Sequence, residues 1–139
     1  MYNYNNYYNR NIINNINGNT EQLNVYSPYE GFIKGTLFKT LYKPYKNYQP
    51  SLENISDEKE KAMLNVQMYY SGFHDLNLYL ELYPNDKEAL KLREEYFDKY
   101  NKAKKDYDSK YSPYSLDSSF NLSQGFTYSK TPFQWEMKK

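Results

Sequence analysis

Two amphipathic stretches that meet at Tyr83-Pro84-Asn85-Asp86 constrain this chain more than any other feature. Before that tetrapeptide, Met63, Val66, Tyr70, Phe73, Leu76 and Leu80 recur at steps of three or four, which places them on one helical face. Leu64, Met68, Leu78 and Tyr79 widen the face beyond what one partner helix needs. After it, Ala89, Leu92, Tyr96, Tyr100, Ala103, Tyr107 and Tyr111 repeat the period with Phe97 beside them, and the far side carries charges of both signs. Asp57 with Glu60 and Asn85 with Glu88 read as the capping boxes that start the two helices. Pro84 stops the first and Ser112-Pro113 the second. So short a connection forces an antiparallel hairpin over residues 57–111. Pairs such as Glu95–Lys99 and Asp98–Lys102 have the spacing that supports a solvated outer face. Gly72 costs about 1 kcal/mol in mid-helix, and a close helix crossing is one reason to carry it.

Two helices alone seldom bury enough apolar surface to offset the ordering of so many residues. A third helix or a second chain is therefore expected on the wide face of the first helix. Residues 23–50 offer a candidate. Ser27-Pro28-Tyr29-Glu30 is a compact helix start, with Ser27 as cap, Pro28 at the first helical position and Glu30 able to reach back to the capping N–H. Gly31 and Gly35 keep that helix short. Leu37, Phe38, Leu41 and Tyr42 then allow one more turn before Pro44. This piece is too small to fold alone, and whether it docks on the same chain or on another is open at the level of sequence.

Residues 51–56 read as a linker. Residues 1–22 interleave Asn with Tyr and carry too little apolar surface to offset ordering, so a disordered arm is expected there. Residues 112–139 lack periodicity but bring back large aromatics, ending in Thr131-Pro132-Phe133-Gln134-Trp135-Glu136. Either they fray, or Phe133 and Trp135 anchor an extended strip in a groove. The fold class expected is all-α: an antiparallel two-helix hairpin, a short upstream helical segment, and irregular N- and C-terminal arms.

Catalysis finds little to use. The chain has one histidine, His74, and no cysteine, which leaves no second soft ligand for a metal and no thiol nucleophile. Neither a nucleophile-elbow pattern nor a phosphate-cradling glycine loop is present. The net charge of +1 gives little field to hold a nucleic acid or an anionic membrane, and near-neutrality favours association. No run of 18 apolar residues offers a membrane span, and the first residues carry no secretory signal pattern. Nineteen tyrosines stand in for much of the usual aliphatic content, and tyrosine suits interfaces better than dry cores.

The stretch Phe73-His74-Asp75-Leu76-Asn77-Leu78-Tyr79-Leu80-Glu81-Leu82-Tyr83-Pro84-Asn85-Asp86-Lys87-Glu88-Ala89-Leu90 resembles the signature of the CotJB family of spore-coat proteins. The likeness runs on through Lys110-Tyr111-Ser112-Pro113-Tyr114 to the aromatic tail. Tyr83 stands where the family often has His, and Phe133 where it has the first tail Trp. Upstream, Tyr26-Ser27-Pro28-Tyr29-Glu30-Gly31-Phe32 and Lys34-Gly35-Thr36-Leu37-Phe38-Lys39-Thr40-Leu41-Tyr42-Lys43-Pro44-Tyr45 resemble the small coat peptide CotJA. The chain thus looks like a fusion of the two, in which residues 24–45 are positioned to pack on the hairpin in cis.

The resemblance implies a structural or assembly role in the inner spore coat, in a protein made in the mother cell beside a manganese-catalase-like third member. The alternative it leaves is an adaptor that recruits or positions that enzyme. In either setting the protein is expected to be non-enzymatic and cofactor-free, to bind coat proteins and possess some capacity for homo-oligomers, and to avoid nucleic acid and membrane insertion. Tyrosines and lysines would be candidate cross-linking groups. The contact residues expected are Leu37, Phe38, Leu41, Tyr42, Met63, Val66, Tyr70, Phe73, Leu76, Leu80, Phe133 and Trp135.

Overall fold

The computed structural model describes residues 23–51, 55–120, 125, 126 and 128. The stretch 1–22, expected to be a disordered arm, and Phe133 and Trp135, expected as contact residues, lie outside them. The described residues form three α-helices: α1 (Pro28–Lys34), α2 (Glu58–Leu82) and α3 (Lys87–Lys110), with a 3-10 turn at Lys39–Leu41. The two long helices pack against each other as the hairpin, and α1 packs on α2. The all-α architecture agrees with the sequence pattern.

Helix ends are set by local chemistry. Asp57 accepts from the Lys59 and Glu60 amides at 2.6 and 3.3 Å and so starts α2. Ser27 Oγ accepts from the Glu30 amide at 3.3 Å. The Glu30 carboxylate reaches back, but to the Ser27 hydroxyl at 3.1 Å. Gly35, at φ 76°, ends α1 in the left-handed region. Its N–H goes to the Phe32 carbonyl and that of Thr36 to Gly31, a Schellman ending that only a residue tolerant of positive φ makes without strain.

One capping assignment is corrected. The residue that starts α3 is Asp86, one position beyond Asn85. Asp86 Oδ1 accepts from the Glu88 and Ala89 amides at 3.0 Å each, while its Oδ2 receives the Tyr79 hydroxyl at 2.9 Å. One carboxylate therefore caps α3 and ties it to the last turns of α2. Glu88 closes no box there; its carboxylate accepts the Leu23 amide at 2.9 Å, 65 positions away in the chain.

The upstream segment docks in cis and supplies the third layer. Residues 24–26 and 37–39 run antiparallel, joined by the Val25–Phe38 bridge and by Tyr26 N–H to Leu37 O and Lys39 N–H to Asn24 O at 2.8 and 3.2 Å. That loop is pinned to the hairpin by the Leu37 amide, which donates to Asp75 Oδ2 at 2.8 Å. Leu37 itself is 1% exposed and shares a buried cluster with Leu76 of α2 and Ala89 and Tyr96 of α3. Gly72 lies where Tyr96 crosses α2: a Cβ there would sit 2.6 Å from two Tyr96 ring carbons.

Residues 112–120 turn back along α3. The Tyr114 amide donates to Asp108 Oδ1 at 2.6 Å, and Lys104 Nζ pairs with Asp117 at 3.1 Å. Asp108, Pro113 and Ser118 are buried at this return, so the start of the tail is irregular in backbone yet held against the helix.

Candidate interaction surface

The hairpin has two sides, and the chain treats them differently. On one, Leu37 fills the buried cluster and Phe38 stacks on Tyr79 at 5.0 Å between centroids. Tyr69 meets Tyr96 edge-on at 5.9 Å, with Lys99 Nζ over the Tyr69 ring. On the other side, Phe73 and Phe97 pack at 5.0 Å and Tyr70 and Tyr100 at 5.3 Å. The Arg93 guanidinium lies over both Phe73 and Phe97, at 4.8 and 5.6 Å, and its Nε donates to Asn77 Oδ1 at 3.0 Å. His74 is exposed and its ring stacks along Tyr70 at 6.4 Å.

The residues singled out from sequence are thereby distributed. Leu37, Val66 and Leu76 are buried and make their contacts inside the chain. Phe38, Phe73 and Leu80 are half-buried against that core. Met63 is half-buried, and Tyr42 sits edge-on to Tyr26 at 6.3 Å, with Lys34 Nζ 5.1 Å from both rings. Tyr70 is 48% exposed and Leu41 57% exposed. Sequence reasoning passed over Arg93, Asp75 and Asp86. Asp75 had one available signal: an acidic residue placed among Gly72, Phe73, Leu76 and Tyr79 has to find a donor if that face is covered.

Burial sets the acidity of the inner tyrosines. It pushes Tyr96 up to about 12, with Glu95 and Tyr69 adding to the rise. Burial also leads the rise of Tyr79 to about 12, reinforced by the hydrogen bond to and the charge of Asp86. Tyr100 and Tyr107 are raised for the same first reason. A phenol whose folded pKa exceeds its unfolded value of about 10 holds its proton more tightly when folded. Its contribution to stability is complete below pH 10 and is lost as pH climbs from 10 toward 12. The melting temperature is therefore expected to be flat from neutrality to about pH 9 and to fall steeply above 10, with a smaller fall in Tyr79→Phe; thermal melts followed by helical circular dichroism check this.

A hollow of about 220 Å³ lies between α3 and the returning segment, lined by Asn101, Lys104, Asp108, Asp117 and Ser118 among others. Ser115 and Lys104 hold the Asp117 carboxyl below the usual carboxylate range by hydrogen bonding, and the Lys104 charge adds to this. Among the described residues, no group of three or more His, Cys, Asp or Glu could hold a metal ion. Nor is any described helix long and apolar enough to cross a membrane.

These features define an all-α hairpin module that carries its own upstream segment as a third layer and presents aromatic and aliphatic side chains outward. Residues 60–136 match the family model of the CotJB protein, and residues 21–45 match that of the spore coat associated protein JA (CotJA). The chain belongs to the CotJB family, with a CotJA-like segment ahead of it, and is a spore coat-associated protein. No curated protein and no solved structure matches it.

Proposed function

We propose that the protein is a structural and assembly component of the spore coat, made in the mother cell, that joins neighbouring coat proteins through the outward stripe of α2. The observation that carries this reading is the exposure of Leu78 and Leu82. They stand one turn apart on one helical face and are 50% and 69% exposed, although α2 already packs against both α3 and the upstream segment. Aliphatic side chains left in water on a helix that has used its other sides for packing are what a further protein contact would cover. Leu41, also more than half exposed, adds to the aliphatic surface that the folded chain leaves open.

The test is a Leu78→Ser/Leu82→Ser double variant. As a purified chain it is expected to keep its helical content and melting temperature, because both side chains are outside the core. In sporulating cells its amount in purified coat is expected to fall about tenfold, the effect of roughly 1.4 kcal/mol at the contact. Retention at the parental level would remove the stripe as the assembly surface. Departure of the parental protein after assembly, with a manganese-catalase-like protein left in place, would replace the structural role with that of an adaptor.

A further inference from the structure

The upstream segment sits on the hairpin as a peptide sits in a receptor groove. Its backbone is satisfied largely from within: Tyr26 N–H goes to Leu37 O, Lys39 N–H goes to Asn24 O, Ser27 caps α1 and Gly35 closes it. What it takes from the hairpin is confined to a few groups. Two carboxylates accept its amides, Glu88 that of Leu23 at 2.9 Å and Asp75 that of Leu37 at 2.8 Å. The Leu37 side chain is sunk among Leu76, Ala89 and Tyr96, and the Phe38 ring beside it lies on Tyr79. Carboxylates that accept main-chain N–H groups fix the register of the backbone, and a buried pocket selects the side chain. That is the division of labour in peptide recognition.

The stretch that joins the segment to α2 adds no polar or aromatic bond to this contact. Among the described residues, 43–51 form no hydrogen bond and no ring contact with either long helix. Tyr48 N–H bonds to Tyr45 O at 2.8 Å and Lys46 Nζ lies over the Tyr45 ring, so the bonds here are local. Tyr45 and Tyr48 are exposed, and the backbone turns at Lys46 and Asn47 with φ 47° and 62°. Such a tether raises the local concentration of the segment to about millimolar without contributing contacts of its own. The CotJA and CotJB matches leave the same stretch between them.

We propose that the groove formed by Asp75, Leu76, Glu88, Ala89 and Tyr96 is an acceptor site for a CotJA-type peptide, and that it takes this peptide from a separate polypeptide as well as from its own chain. The partner is a coat protein of the CotJA family that presents a capped helical turn, a glycine ending it, and a leucine followed by an aromatic residue. In the intact chain the segment in cis fills the site first. A separate polypeptide enters where that segment has been displaced or cut away. Leu78 and Leu82 are not among the residues that make this contact, so it is distinct from the assembly stripe.

The test uses the full chain with a protease site inserted between Asn47 and Tyr48 and cut after purification. The two pieces are expected to leave a size-exclusion column together in equal amounts, with the helical circular dichroism of the uncut protein. A fluorescent peptide of residues 23–46, acetylated so that the Leu23 N–H stays an amide, is then expected to replace the cut segment, which fluorescence anisotropy reads. The peptide carrying Leu37→Ala is expected to bind on the order of 100-fold more weakly, and the one carrying Leu41→Ala about equally. Uptake by the uncut protein is expected to be at least roughly tenfold weaker, because the tethered segment competes. Separation of the two pieces overturns the proposal. So does uptake that Leu37→Ala leaves unchanged, and so does uptake as strong in the uncut protein as in the cut one. Should the insertion itself lower the helical signal before cutting, a site between Tyr45 and Lys46 takes its place. Leu78→Ser/Leu82→Ser is expected to leave uptake unchanged, so failure here and failure of the assembly surface are read separately.

Discussion

Gly72→Val is expected to destabilise the protein by about 3 kcal/mol, and Gly72→Ala by about 1 kcal/mol, despite the gain in helix propensity that either brings. A side chain at this position begins 2.6 Å from Cδ2 and Cε2 of Tyr96. Those atoms belong to a ring that is 4% exposed and braced edge-on by Tyr69 at 5.9 Å, so it has little room to retreat. Overpacking a filled core costs roughly 1–3 kcal/mol, while replacing a mid-helix glycine with alanine returns about 1 kcal/mol. For alanine the two terms nearly oppose each other and the clash prevails. For valine the branched side chain adds to the clash and forgoes part of the propensity gain. Urea unfolding of the two variants beside the parent gives the order directly. A Gly72→Ala protein more stable than the parent would mean that α2 and α3 can part at this crossing at no cost, which a 4% exposed ring argues against.

That crossing shows what could be read from sequence and what could not. The hairpin was legible because its signals are local: apolar positions at steps of three and four, Pro84 between them, and an acidic cap at Asp57. The start of α3 was misplaced by one residue because Asn85 and Asp86 are both good caps. What decides between them is distant: Glu88, the residue that would close a box with Asn85, is engaged by the Leu23 amide, and Asp86 also serves Tyr79. Tyr69 and Tyr70 illustrate the same limit. They are neighbours in sequence, yet a rotation of about 100° per residue sends one to the upstream-segment side and the other to the Arg93 side. A periodicity argument fixes the face to within a residue, not the side of the partner on which each ring falls. The return of residues 112–120 had no periodic signal at all, because it rests on single polar contacts at Asp108 and Lys104. As for the surface, exposure of Leu78 and Leu82 depends on where the upstream segment settles, and that is a matter of tertiary packing.

Leu37→Ala is expected to cost about 3 kcal/mol and to loosen the whole of residues 23–51 from the hairpin. The loss has two sources. A leucine that is 1% exposed leaves a cavity when truncated, and such truncations cost about 2–5 kcal/mol. Gly31 is the glycine that Leu37 crowds: a Cβ there would lie 3.1 Å from Leu37 Cα and 3.3 Å from its Cδ1. With no Cβ on that glycine, few atoms stand ready to move into the space. The second source is the pin beside it, where the Leu37 amide donates to Asp75; once the segment lifts, that carboxylate exchanges a fixed donor for water. Leu41→Ala, four residues on and 57% exposed, is expected to change stability by less than about 0.5 kcal/mol. The pair separates cis docking from mere adjacency. Urea unfolding should show the large and the negligible loss, and limited proteolysis read by mass spectrometry should show Leu37→Ala cut early between residues 39 and 57 while the hairpin remains intact. Equal midpoints and equal cleavage in the two variants would mean that the CotJA-like segment is carried by the chain without being part of its core. The burial of Leu37 among residues of both long helices argues for the opposite: the CotJA-like segment, although it precedes the hairpin in the chain, completes the hairpin's core.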